Sequence, residues 1–222
     1  MRTGALLIVA VVTCLTGRSA AQAPAAESVA RTLQARYDAI RDFSADFVQT
    51  YRGGVLRQTV TERGRLIVKK PGKMRWEYRT PEEKLLVADG HKLYFYVPMD
   101  RQVHVSDVPD EDRAESGALF LAGKGNLVRD FTIAYGEIEE ATSNLTVLEL
   151  TPRTPEPEYE WLLLGVEPGT LQIRMLVQPD AQGGRSTFTF SNVKENVGIA
   201  DSVFAFTIPR GVDVVSSDTG NR

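Results

Sequence analysis

Positions 73–79, "KMRWEYR", set Met74, Trp76 and Tyr78 at every second residue, with Lys73, Arg75, Glu77 and Arg79 strictly between them. Successive side chains of a β-strand point to opposite faces, so this run reads as a strand with one dry face and one wet face. The pattern recurs along the chain. Gly64, Leu66 and Val68 oppose Arg65, Ile67 and Lys69, and Leu171, Ile173, Met175 and Val177 alternate with Gln172, Arg174, Leu176 and Gln178. A chain made of such runs must bury one side of a large sheet, and that requirement limits the folds open to it.

Turn signals punctuate the strands. Gly53-Gly54, Pro71-Gly72, Asp89-Gly90, Pro98–Asp100 and Pro168-Gly169 each separate two alternating runs, and the Asp-Gly pair between "KLLVA" and "KLYFYV" is the strongest hairpin signal. Helical spacing shows over Glu27 to Phe43, where Val29, Leu33, Tyr37 and Ile40 share one face. A second short helix is expected in "SGALFLAGKG", closed by Gly123. The fold class expected is mainly β: an incomplete antiparallel β-barrel of about ten or eleven strands, with a lid of two or three short α-helices over an apolar cavity. Neither an internal repeat nor a long linker divides the chain, so residues 22–222 are expected to form a single domain with a loose polar tail from Ser216.

The first residues read differently. In "MRTGALLIVAVVTCLTGRSAAQAPA" a positive start at Arg2, an apolar run over Ala5–Leu15 and small residues around Ala21 match a secretory signal peptide covering 1–21. Its apolar run is too short to span a bilayer. The single cysteine, Cys14, lies in this leader behind Thr13, a poor lipidation context, so the mature chain is expected to be exported, soluble and thiol-free. Loss of Arg2 and Arg18 with the leader moves the net charge from −3 to −5. A mildly acidic chain without a basic stripe is a poor nucleic-acid binder, and no such partner is expected.

Enzyme signatures are missing. His91 and His104 fit no metal spacing, and neither a nucleophile elbow nor a phosphate loop occurs. Glu82-Glu83 and the acidic run Asp110–Asp112 read as solvated, so no catalytic residue, metal or cofactor is expected. The interior leaves two accounts open. Small barrels are filled by their own side chains, but the strand count exceeds the roughly eight at which this suffices, and wide aromatics line the dry face. A curled sheet only partly covered by helices would leave a greasy groove for an elongated apolar ligand.

Several blocks together carry a resemblance. "FSADFVQT", "GRLIVKKPGKMRWEY" followed by "PEEKLLVADG" and "KLYFY", then "LFLAG" and the closing "FAFTIPRGVDVV" resemble the periplasmic outer-membrane lipoprotein carrier protein (LolA) family. The resemblance spans nearly all of residues 22–222 in the family's order. It implies a chaperone that takes acylated lipoproteins from an inner-membrane ATP-driven exporter, shields their acyl chains, and passes them to an outer-membrane receptor, working as a monomer. The acyl-contacting residues it implies here are Phe47, Leu66, Val68, Met74, Trp76, Tyr78, Leu93 and Phe95, although the bulky residues on both faces of "KLYFYV" leave the inward parity of Leu93 and Phe95 open. Leu33, Leu119 and Phe120 are the implied lid residues. Lys70 stands where family carriers usually have an Arg that latches the lid, and a lysine lacks the planar fork of an arginine. Plain core packing is the competing reading of the apolar residues, and a solvated lysine that of Lys70. A receptor, stress sensor or glycolipid carrier of the same fold is the alternative function.

Overall fold

The structure, a computed structural model, describes residues 25–54, 58–108, 116–141 and 144–216. The expected leader with Cys14, the acidic run Asp110–Asp112 and the last residues of the tail lie outside the described residues. In chain order the elements are α1 (Ala26–Asp38), β1 (Asp42–Arg52), β2 (Thr59–Lys69), β3 (Lys73–Thr80), β4 (Lys84–Asp89), β5 (Lys92–Val97) and β6 (Gln102–Asp107). Then follow α2 (Gly117–Leu121), α3 (Leu127–Asp130), β7 (Phe131–Tyr135), β8 (Thr146–Pro152), β9 (Leu162–Val166), β10 (Ile173–Pro179) and β11 (Arg185–Glu195). A 3-10 turn (Asp201–Phe204) and β12 (Asp213–Ser216) complete the series.

All twelve strands belong to one sheet, ordered β12-β6-β5-β4-β3-β2-β1-β11-β10-β9-β8-β7. Neighbours pair antiparallel except β12, which runs parallel to β6 as an added edge strand. The two ends of the sheet, β12 and β7, do not pair with each other, so the barrel is incomplete. A sheet this wide twists and curls, and its concave side becomes the main core.

Register fixes what that concave side presents. Phe43, Val68, Met74, Ala88 and Leu93 are cross-strand partners, forming a layer nearest α1. Ala45, Leu66, Trp76, Leu86 and Phe95 form the next layer. Phe47, Gly64, Tyr78 and Lys84 form a third, and Gln49 opposite Glu62 a fourth. The ambiguity at β5 is thereby resolved: Leu93 and Phe95 share the concave face, while Tyr94 and Tyr96 turn outward against Phe206.

The convex side carries covers of its own. The segment after β11 crosses β3 and β4, where Lys69 and Lys73 both reach Asp201 and Asp42 accepts from the backbone N–H groups of Val197 and Gly198. Farther round, Ile138, Val147, Leu163, Met175 and Val177 make a smaller outer core.

Gly64 shows how tightly the concave side is packed. A Cβ there would stand 2.0 Å from the Glu77 carbonyl oxygen and 2.7 Å from the Phe47 ring. The missing side chain is what allows Phe47 to lie against β2. Gly64→Ala should therefore lower stability by roughly 2 kcal/mol or more through overpacking, read as a lower denaturant midpoint at unchanged slope.

Candidate functional site

The concave face is covered by the helices, and the cover is apolar first. On α1, Ala30, Leu33 and Tyr37 are buried, spaced at three and four residues as one stripe. Leu119, Phe120 and Leu121 of α2 and Leu127 of α3 join the same core as Leu66, Val68, Met74 and Trp76. Withdrawing one Leu or Phe from such a position into water costs about 1.5–3 kcal/mol.

Local sequence explains the short helices. Ser116 caps α2 by accepting from the Leu119 N–H at 3.2 Å, and Gln178 accepts from the Gly117 N–H at 3.1 Å, which docks α2 on β10. The C-terminus of α2 closes in a Schellman arrangement. Gly123, at φ +82°, donates to the Phe120 carbonyl, and Lys124 N–H donates to Leu119. Asn126 caps α3 through the N–H groups of Val128 and Arg129.

A small set of polar contacts ties the cover to the sheet, and Lys70 stands at their centre. It is half-buried, its Nζ donates to the Tyr37 carbonyl at the end of α1, and the ammonium lies 4.0 Å from the centroid of the Tyr37 ring. The Tyr37 hydroxyl donates to the Leu121 carbonyl at 2.5 Å, and its ring stacks on Phe120 at 5.8 Å. The backbone around Lys70 is also engaged: Lys70 N–H donates to Arg41 and Gly72 N–H to Ala122. Lys70 carbons pack where a Cβ on Gly123 would stand, so glycine at 123 leaves the space that the lysine stem occupies. Arg36 with Glu195, at 2.8 and 2.9 Å, and Gln34 accepting from Leu127 N–H bind the outer side of α1.

Burial leaves its mark on these groups. Desolvation pushes the Tyr37 hydroxyl well above the usual tyrosine range, with the Glu195 charge adding to it, so the hydroxyl is a permanent donor. Desolvation lowers the Lys70 pKa, and Asp38 partly opposes the shift. A lysine with a depressed pKa in the closed form binds its proton less tightly there than when solvated. Docking of Lys70 on Tyr37 therefore becomes less costly as pH rises towards the lysine range, and at neutral pH desolvation of the ammonium offsets part of what its carbonyl and ring contacts contribute.

The implied acyl-contacting residues all lie on the concave face, within the layers set by the strand register. Phe47, Leu66, Val68, Met74 and Trp76 are buried, while Tyr78, Leu93 and Phe95 are partly so. Phe188 and Phe190 of β11 complete an aromatic cluster with them. Trp76 lies 5.0 Å from Phe47 and 5.3 Å from Phe188, both edge-on, and Phe47 is 5.0 Å from Tyr78. The sequence reading missed Phe188 and Phe190, although "STFTF" places both at alternate positions. It missed Tyr37 as a tie because its helical spacing marks it only as core.

The groove expected to be partly filled is closed in this structure. Between α1, β1, β10 and β11 a cavity of about 20 Å³ remains, lined by Tyr37, Ile40, Phe43, Leu121 and Phe190 among others. That is room for a water molecule at most. Leu33, at 0 % exposure, and Phe120, at 2 %, help fill the space between helices and sheet. Within the cluster, the Trp76 Nε1–H is fully buried and has no hydrogen-bond partner, a state that costs about 1–3 kcal/mol.

These features describe a half-barrel with an apolar interior and a helical cover held by local ties. The family model described as "Outer membrane lipoprotein carrier protein LolA" matches residues 38–207. A protein of Cupriavidus taiwanensis called outer-membrane lipoprotein carrier protein is 31% identical over 88% of this chain and 92% of its own length. One of the same name from Nitrosospira multiformis is 34% identical over 79% and 83% respectively. An uncharacterized conserved protein of Thermus thermophilus shares the fold, with a TM-score of 0.52 at 12% identity over 85% of this chain and 99% of that one. The chain belongs to the outer-membrane lipoprotein carrier (LolA) family.

Tyr37→Phe deletes one donor and leaves the Leu121 carbonyl unpaired. The variant should lose about 0.5–1.5 kcal/mol of stability, and the amides of Phe120 and Ala122 should exchange faster while the β1–β2 ladder is unchanged. Hydrogen exchange followed by NMR reads both.

Proposed function

We propose that this chain is a periplasmic carrier. It takes the acyl chains of lipoproteins from an inner-membrane ATP-driven exporter, holds them beneath α1 and α2 against the concave face, and hands them to an outer-membrane receptor. The observation that carries this reading is the cover itself: an apolar stripe laid over an apolar sheet face and tied by Lys70 and Tyr37 at one end. Membership of the lipoprotein carrier family supports the class of cargo.

The energies suit a carrier. A triacylated lipoprotein exposes on the order of 40 methylenes, each worth about 0.8 kcal/mol when sheltered, so it cannot cross water unprotected. In the closed form the interior shelters its own Leu33, Phe120 and aromatic cluster. Loading exchanges these contacts for acyl contacts. Because displaced side chains offset part of the gain, the chains are held moderately and can be given up. Met74, unbranched and polarizable, adapts the layer nearest α1 to irregular chains.

Lys70 acts in this scheme as the latch. Its ammonium and the Tyr37 carbonyl stabilise the closed, empty form against the loaded one. Lys70→Leu removes that preference. The variant should accept lipoprotein and release it on the order of tenfold more slowly to outer-membrane vesicles bearing the receptor. Normal transfer by the variant would remove the latch from the scheme. The carrier reading itself is tested by recovering the protein from a periplasmic extract and identifying bound species by mass spectrometry: acylated lipoproteins are expected, and persistent absence of any acylated species would defeat it.

A further inference from the structure

The concave face is not uniformly apolar along its strands. Its first two layers, from Phe43 to Leu93 and from Ala45 to Phe95, carry a single polar side-chain atom, Trp76 Nε1. The third layer brings in the Tyr78 hydroxyl and Lys84, and the fourth Gln49 and Glu62. These later groups satisfy one another. Tyr78 donates to Gln49 Oε1 at 2.9 Å, Gln49 Nε2 reaches Ser186 Oγ at 3.1 Å, and Lys84 pairs with Glu62. Trp76, two residues or about 7 Å along β3 from Tyr78, has no such partner, though its residue is only 2 % exposed.

Buried indole N–H groups normally find an acceptor, and one left without a partner in a well-packed cluster calls for a reason. Around it lie the rings of Phe47, Phe188 and Phe190 and the cross-strand partners Leu66 and Leu86, whose side chains carry no oxygen or nitrogen acceptor. An acyl chain of a lipoprotein brings one acceptor with its hydrocarbon, the ester or amide carbonyl oxygen where the chain begins.

Resting on the reading that acyl chains occupy this interior, we infer that the Trp76 indole N–H is a carbonyl anchor: it donates to the ester or amide oxygen of a bound acyl group. The chain then runs back beneath α1 along the first layer, and the glyceryl-cysteine head extends along the Tyr78–Gln49–Ser186 string towards the far rim. The anchor sets the direction in which the cargo lies. It also makes the protein recognise an acyl group as such, beyond its hydrocarbon, because an unmade bond in the empty form is made in the loaded one. A hydrocarbon of equal length without a carbonyl gains only the burial.

The test compares two synthetic ligands, a dipalmitoyl-glyceryl-cysteine peptide and its dihexadecyl ether analogue, which keeps the chains and the head but has no ester carbonyl. The full-length mature protein should bind the ester peptide about fivefold more tightly than the ether, the worth of one neutral hydrogen bond. In Trp76→Phe the two affinities should become equal, chiefly by weaker binding of the ester. A second variant, with benzothiophene replacing the Trp76 indole, keeps the bicyclic shape and puts sulfur in place of N–H. It should lose the discrimination equally, and it answers the question if the phenylalanine variant folds poorly. Equal binding of ester and ether by the unaltered protein, or discrimination that survives both replacements, overturns the anchor and leaves the carrier reading standing; the N–H then rests on the face of a neighbouring ring. Failure of the unaltered protein to bind either peptide overturns the carrier reading, and the anchor falls with it.

Discussion

A sheet that curls without closing leaves its concave face to be covered by something other than itself. The rest of the structure depends on how this chain meets that requirement. Strands β12 and β7 end the sheet without pairing with each other, and the dry faces of β1 to β5 and β8 to β11 look inward on a shared core. Three short helices supply the missing side. Short helices have little stability of their own, so these hold their form because they dock. The capping residues of α2 and α3 and the Schellman closure of α2 at Gly123 satisfy helix ends that packing alone would leave open.

The two sides of the sheet do different work. On the convex side, Asp42, Lys69, Lys73 and Asp201 pin the segment after β11 across the strands, and a separate apolar cluster sits over β8 to β10. Those contacts do not involve the helices, so the strand ladders keep a partner layer whether the concave cover is in place or not. On the concave side, the ties of α1 gather near Tyr37, Lys70 and Arg36. The sheet thus has contacts of its own on the convex side, while the cover on its concave side is fastened locally.

Lysine at position 70 shapes that fastening. An arginine would spread a planar fork over several carbonyls, whereas a lysine offers a compact charge on a flexible stem. Here the charge meets the Tyr37 carbonyl and the Tyr37 ring, so one residue of α1 serves as acceptor and as aromatic floor, while its hydroxyl reaches α2. The half-buried ammonium lacks part of its hydration, which lowers its pKa and discounts what its contacts with Tyr37 contribute.

Much of this was legible in the sequence. Alternation named the concave residues of β2 and β3, the Asp89-Gly90 and Pro71-Gly72 signals marked their turns, and helical spacing brought out Leu33, because side-chain direction in strand and helix follows from backbone geometry alone. What the chain's order could not reveal depends on residues far apart in it. Tyr37 meets Leu121 across 84 positions, Phe188 meets Trp76 from a strand near the other end, and β12 returns to run parallel with β6. Parity left β5 undecided because both of its faces are bulky, and only register with β4 turned Leu93 and Phe95 inward. Whether the apolar interior stands open was also beyond the sequence. Periodicity says which face of an element is dry but not how completely its neighbours fill the space before it, and that volume exists only once helices and sheet have packed.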